Sequence, residues 1–276
     1  MQVYRYFDIG TAKPSLKERQ SVSHHLIDII NPDEEYSAGN FQKDAIKIIN
    51  HLHAAGKAPI IVGGTGLYLK ALTKGISMAA PSSPELRKKL RERSLLEGNE
   101  LLRNELLKVD PTAAKKINPA DAFRIERALE VYYLTGKPIS SFHSQTQKET
   151  RKYNILYLIL DIARPLLYEK INNRVDSLIK KGLVEEVRSI MDRGYSSQLK
   201  PFKSIGYKQI VQHLEEGTDL DDAVKNIKKE TRNFAKRQLT WFRKVPSAKW
   251  IEVDLKNPES ADKEIYKKVK KHLSTE

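Results

Sequence analysis

A chain of 276 residues, 39% hydrophobic and 30% charged, is long enough to bury a core without covalent staples. Lys and Arg number 49 against 35 Asp and Glu, and the net charge of +14 points to nucleic acid, a phosphorylated substrate or an anionic surface as partner. There is no cysteine, which excludes disulfides, Cys-based zinc sites, iron–sulfur clusters and thiol catalysis. No run reaches membrane-span length and no apolar signal core opens the chain, so the expected location is cytoplasmic, with no membrane partner.

Residues 1–14 read as an extended stub followed by a loop. A helix is predicted from Ser37 to Ala55, on the stripe Phe41, Ala45, Ile48, Ile49 and Leu52, and Gly56 stops it. Pro59-Ile60-Ile61-Val62 reads as a short buried strand, Gly63-Gly64-Thr65-Gly66 as its turn, and a helix starts at Leu67. From 81 to 148 only helices are predicted. Ser83-Pro84 opens the first and Gly98 closes it; Asp110-Pro111 opens another; Asp121 to Thr135 is a third, with Ile125, Ala128, Leu129 and Tyr132 inward. Strand Ile155–Leu160 follows, then amphipathic helices on Leu167, Ile171, Val175 and Leu178 and on Leu183 to Met191. A strong helix runs from Asp222 to Lys244, then a strand at Trp250–Val253 and a lysine-rich terminal helix. The expected fold class is α/β: residues 1–80 and 149–276 form the core, and 81–148 an all-helical insertion.

Charge is uneven along the chain. Residues 225–244 hold eight Lys or Arg and one Glu, half of the net charge of +14. Lys225, Lys229, Arg232, Lys236 and Arg243 share one helical face, and Ile227, Phe234 and Trp241 the opposite one. A solvated face explains this in part, but solubility favours mixed signs, and phosphate binding is the better reading. Lys203-Ser204-Ile205-Gly206-Tyr207-Lys208 is a second basic–aromatic segment, read either as a helix start or as a place where Tyr207 stacks on a base. The turn at residues 63–66 offers N–H groups at a helix start, with Thr65 where α/β ligands sit, yet it is not G-x-x-x-x-G-K-[ST]. Arg174, at the edge of an apolar stripe, either covers that stripe or reaches a phosphate. Arg124 and Arg127 are expected to pair with Glu126, Glu130 and neighbours. His24 and His25 point apart and are not read as metal ligands.

These segments in this order resemble the tRNA dimethylallyltransferases (tRNA isopentenyltransferases). The resemblance rests on Met1-Gln2-Val3-Tyr4-Arg5, Asp8-Ile9-Gly10-Thr11-Ala12-Lys13-Pro14, His24-His25-Leu26-Ile27-Asp28 and Ile61-Val62-Gly63-Gly64-Thr65-Gly66-Leu67-Tyr68. It continues through Arg127-Ala128-Leu129-Glu130-Val131, Arg174-Val175-Asp176, Ser204-Ile205-Gly206-Tyr207-Lys208-Gln209 and Ala235-Lys236-Arg237-Gln238-Leu239-Thr240-Trp241-Phe242-Arg243. Any one match is modest; the ordered set is specific.

The resemblance implies a P-loop-kinase-like parallel-sheet core whose helical insertion reaches the anticodon stem-loop. It implies transfer of a dimethylallyl group from its diphosphate to N6 of the adenosine 3′ of the tRNA anticodon, with Mg2+ serving the diphosphate. The family's nucleotide-binding and ATP-binding labels come from its P-loop, which would hold the isoprenoid diphosphate. By position, Thr65 and Arg87 are expected near the reacting base and Arg174 on the diphosphate. The expected tRNA contacts are Met1 and Gln2; Phe123, Arg124, Ile125, Glu126 and Arg127; Lys203, Ser204, Ile205, Gly206, Tyr207 and Lys208; and Lys236, Arg237, Gln238, Leu239, Thr240, Trp241, Phe242 and Arg243. Thr65 and Arg174 are the expected catalytic pair.

The family's P-loop and the Asp that would accept the N6 proton, both expected before Met-Gln-Val-Tyr, are not in the 276 residues. The chain as given is therefore expected to be inactive. The alternatives are a non-catalytic RNA-binding remnant or an adenylate isopentenyltransferase; the predicted state is monomeric.

Overall fold

The computed structural model describes residues 1–75, 83–146 and 153–274. In chain order its elements are α1 Leu16–Ser21, α2 Ala38–Ala54, α3 Gly66–Lys74, α4 Pro84–Glu97, α5 Asn99–Val109, α6 Pro111–Lys116, α7 Ala122–Thr135, α8 Ile139–Thr146, β1 Leu158–Asp161, α9 Arg164–Lys180, α10 Leu183–Asp192, α11 Tyr207–Glu216, α12 Leu220–Phe242, β2 Lys249–Glu252 and α13 Pro258–Leu273. They form two compact units: residues 1–37, 44–66 and 154–276, and residues 38–43 and 67–153. The second unit takes in residues 38–43 and 67–80, which the sequence reading assigned to the core.

The helical unit is built on capped helices. Ser83 accepts from the Leu86 N–H with Pro84 behind it, Asp110 accepts from the Ala113 N–H, and Asp121 from the Arg124 N–H. Each cap satisfies an N–H that the first helical turn leaves orphaned. Gly136, left-handed at φ 66°, ends α7 where the sequence placed its stop. Leu90, Leu102, Leu106, Ala114, Ile125, Ala128 and Leu129 form the core, pooling α4, α5, α6 and α7.

In the other unit, β1 and β2 pair in parallel from Leu158–Lys249 to Asp161–Glu252. In the same unit α9 packs on α12, α12 on α11, and α11 on α10, while α13 packs on β2. Val175, Val187, Ile190, Ile210, Ile227 and Ile251 are buried there. Tyr4 makes an isolated parallel bridge to Ile30, and Phe7 is buried between the rings of Phe202 and Tyr207.

One predicted strand is corrected. Residues 59–62 carry no strand among the described residues, and Ile60 and Val62 are 83% and 91% exposed. An apolar run becomes a strand only when a neighbour takes its ladder groups, and here none does. The described sheet has two strands, so a wider P-loop-kinase-like sheet is not seen among these residues.

Candidate nucleic-acid interface

The first unit joins the glycine turn to the basic helix. The Gln238 side-chain amide donates to the Gly64 carbonyl at 3.0 Å. A Cβ on Gly64 would strike that amide, and one on Gly66 would strike the Trp241 ring. These glycines are required by close approach rather than by a positive φ. Thr65 stands exposed between them. Beside it, Asn233, Lys236, Arg237, Thr240, Trp241 and Lys244 line an open depression of about 440 Å³. Arg237 lies 5.7 Å from the centre of the Phe234 ring, and Trp241 packs edge-on to Phe242.

The face of α12 divides in two. Lys229, Lys236 and Arg243 are exposed, with no ion pair among the described residues. Arg232 instead donates to Asn172 at 2.7 Å, and Lys228 pairs with Asp176 at 2.6 Å, so both tie α12 to α9. Lys225 pairs with Asp222 at 2.8 Å. Phe234 is 41% exposed, which removes it from the expected packed stripe; Ile227 stays buried.

Arg174 is exposed on α9. At 3.6 residues per turn it lies on the edge of the Ile171–Val175 stripe opposite Asn172 and Asp176. The structure therefore does not bring Arg174 onto the basic face of α12.

In residues 203–208, Lys203 and Lys208 are exposed while Gly206 and Tyr207 are buried. Tyr207 is 1% exposed and its hydroxyl donates to Glu186 Oε1 at 2.7 Å. Burial first, and the Glu186 charge second, push that phenol far above its ordinary value. The expected base stacking by Tyr207 is thus corrected: no ring face is open to RNA, because the ring covers Gly10, where a Cβ would lie 2.6 Å from it. Ser204 donates to the Pro201 carbonyl and Ile205 is half-buried.

Glu186 was not anticipated from the sequence. Its carboxylate accepts from the N–H groups of Asp8, Ile9 and Gly10, at 3.0, 2.5 and 3.1 Å, as well as from Tyr207. Lys13 was also missed. Its ammonium, on a side chain only 2% exposed, reaches Asp8, Asp28 and the Tyr4 carbonyl. The available signal was a lone lysine in one matched segment and a lone aspartate at the end of another. The Gln2 amide donates to the Thr11 and Ala12 carbonyls at 3.1 Å, which commits it to the loop, while Met1 is 45% exposed.

In the helical unit, Phe123 is 61% exposed beside an exposed Arg124 that pairs with Asp121 at 2.8 Å. Ile125 and Glu126 are corrected: at 1% and 3% exposure their side chains offer tRNA no surface. Ile125 belongs to the core, and Glu126 turns inward, its Oε2 without a partner. Burial raises the Glu126 carboxyl above its ordinary value, against the charges of Arg91 and Arg87.

Glu130, 0% exposed, is the centre of this unit's polar network. It accepts from Arg127 at 2.7 Å, from the Ser83 N–H at 2.7 Å, and from Arg87 at 3.1 and 3.2 Å. Burial pushes its carboxyl up, yet Arg127, the Ser83 N–H and Arg87 outweigh this and hold it below its ordinary value. Arg127 thus pairs as its spacing suggested, and Arg87, placed near the reacting base by resemblance, is anchored from beneath. Its edge remains one-third exposed.

Among the described residues no three His, Asp or Glu side chains gather to hold a metal. No described helix is long and apolar enough to cross a membrane.

The family model "IPP transferase" matches residues 2–245. A tRNA dimethylallyltransferase of Syntrophobacter fumaroxidans is 48% identical over 252 residues, covering 91% of this chain and 74% of that protein. One from Thermosipho africanus is 49% identical over 269 residues, with 96% and 87% covered. The crystal structure of a tRNA isopentenylpyrophosphate transferase from Bacillus halodurans shares 35% identity at a TM-score of 0.68, covering 99% of this chain and 87% of that one. A eukaryotic dimethylallyltransferase captured acting on tRNA aligns at a TM-score of 0.76 and 29% identity, over 91% of this chain and 65% of that one. The family match begins at the second residue, so the expected absence of an N-terminal segment is not borne out by it.

Proposed function

Because the chain belongs to the IPP transferase family, we infer that it moves a dimethylallyl group from dimethylallyl diphosphate to tRNA, onto N6 of the adenosine 3′-adjacent to the anticodon. The observation that carries this is identity of 41–49% to tRNA dimethylallyltransferases along nearly the whole chain. In the reaction N6 attacks C1 of the dimethylallyl group, the C1–O bond breaks, diphosphate leaves with the electron pair, and N6 loses a proton. Such a reaction needs fixed positive charge near the leaving group and a face that grips phosphates.

The exposed cations of α12 supply the grip. The Gln238 and Trp241 contacts place Thr65 on the same frame, which suits a hydroxyl that orients the acceptor base. Phe123 and Arg124 offer the helical unit's own stacking and phosphate contacts. Arg174 remains our candidate for the diphosphate, supported by its family position and its exposed guanidinium. Among the described residues no His, Asp and Glu side chains gather into a metal cage, and we expect Mg2+ to arrive with the diphosphate. The protein is expected to be cytoplasmic and monomeric, and light scattering on a sizing column tests the oligomeric state.

The test is incubation with tRNA or with AMP as alternative acceptors, dimethylallyl diphosphate and magnesium, followed by nucleoside mass spectrometry. N6-dimethylallyl-adenosine in tRNA is the expected product. Product on AMP alone would overturn the reading. Our expectation that residues 1–276 by themselves are inactive rests on their lack of a G-x-x-x-x-G-K-[ST] run. Comparable rates for this chain and an N-terminally extended one would refute it. Arg174→Ala should lower turnover while tRNA affinity persists, and Arg174→Lys should not restore it, since the bidentate fork is gone.

A further inference from the structure

The lysine-rich terminal helix lies beyond the family match, which ends at residue 245. Ala261 is 4% exposed, Ile265 and Val269 are half-buried on the same side, and α13 packs on β2. The opposite side is different. Lys263, Lys267 and Lys270 fall at i, i+4 and i+7, one stripe of an α-helix, with Tyr266 alongside. All four are exposed, Tyr266 at 68%, and the three lysines have no ion pair among the described residues. Glu259 shares this face one turn earlier and Asp262 lies at its border; residues 265–273 contain four lysines and no carboxylate. The ion pair of Lys268 with Glu264, at 3.2 Å, belongs to a flank.

A face kept only for solubility mixes its signs, and this one does not past residue 264. A membrane-surface helix sets large apolar residues beside its lysines, whereas the apolar stripe of α13 is turned to β2. Lysines around one exposed ring suit a polyphosphate chain with unpaired bases. We propose that the outward face of α13 is a second RNA contact, in which Lys263, Lys267 and Lys270 meet backbone phosphates and Tyr266 stacks on a base. It is separate from the α12 face and rests on tRNA being the substrate.

The full chain and its Lys263→Gln/Lys267→Gln/Lys270→Gln variant are compared by anisotropy with labelled tRNA over a range of salt. Gln preserves helix propensity, so Tm should not move. The slope of log K against log salt should flatten by about 2, at roughly 0.7 per lost phosphate contact. Tyr266→Ala should weaken binding about fivefold or more, equally at every salt. An unchanged slope, while Lys229→Gln/Lys236→Gln on α12 flattens its own, would overturn the α13 contact and leave the tRNA reading standing. No salt-dependent tRNA binding by the unaltered chain would refute that reading itself. An unchanged tRNA slope with lost cosedimentation on phosphatidylserine vesicles would give the face to a membrane and overturn the proposal.

Discussion

Gln238 and Gly64, 174 residues apart, are joined by one hydrogen bond of 3.0 Å that fastens the basic helix to the turn carrying Thr65. Gln238→Leu should therefore lower kcat about tenfold or less, the worth of a neutral hydrogen bond, with little change in the salt slope of tRNA binding. Steady-state kinetics beside anisotropy separates the two. A loss confined to tRNA affinity would make Gln238 an RNA contact rather than a positioning residue.

Gly66→Ala should destabilise by about 1–3 kcal/mol, because the new methyl meets the Trp241 ring. Pairing it with Trp241→Leu should recover part of the loss in thermal melts. Additive losses would mean that the two sites are not coupled.

The basic face of α12 should behave as two sets. Changing Lys229, Lys236 and Arg243 to Gln should flatten the salt dependence of tRNA binding by about 2 at unchanged Tm. Arg232→Ala should lower Tm instead, since its guanidinium is bonded to Asn172. Equal salt slopes for both variants would contradict this division.

Two neighbouring carboxylates should respond to pH in opposite directions. Glu130 is held below its ordinary value, so its stabilisation is complete above the unfolded-state value and is lost as acid titrates it through the folded one. Glu130→Gln should cost about 3–5 kcal/mol at neutral pH, leaving two arginines without their shared anion. Glu126 is held above its ordinary value, so ionising it in the folded state costs stability as pH rises past the unfolded-state value. Glu126→Gln should raise Tm by about a few degrees at neutral pH and have little effect in acid. Melts from acid to neutral pH read both, and parallel curves for the two variants would refute the assignment.

Tyr207→Phe should lower Tm and leave tRNA affinity unchanged, because the hydroxyl it removes serves Glu186. Weaker tRNA binding at an unchanged Tm would make the hydroxyl an RNA contact instead.

The helices of the insertion were legible because their signals are local: a Ser or Asp cap, a proline behind it and a glycine at the stop. Ile60-Ile61-Val62 carries equally local signals for a strand, yet a strand is completed by a partner, and no partner is encoded within the run. The basic face of α12 was legible as charge, but Arg232 and Arg243 differ only in what α9 sets opposite them. Tyr207 read as a stacking ring because its neighbours are lysines. Its burial is decided by Gly10 and Glu186, which the sequence does not place beside it.

The carboxylate of Glu186 has a consequence for competition. Three consecutive N–H groups at residues 8–10 form the concave donor array that attracts free anions, but here the array is filled from within the chain. A phosphate entering from solution would have to evict a group tethered to α10 and strand it beside Tyr207. Those three N–H groups are therefore closed to free anions, because the chain supplies their counter-charge itself.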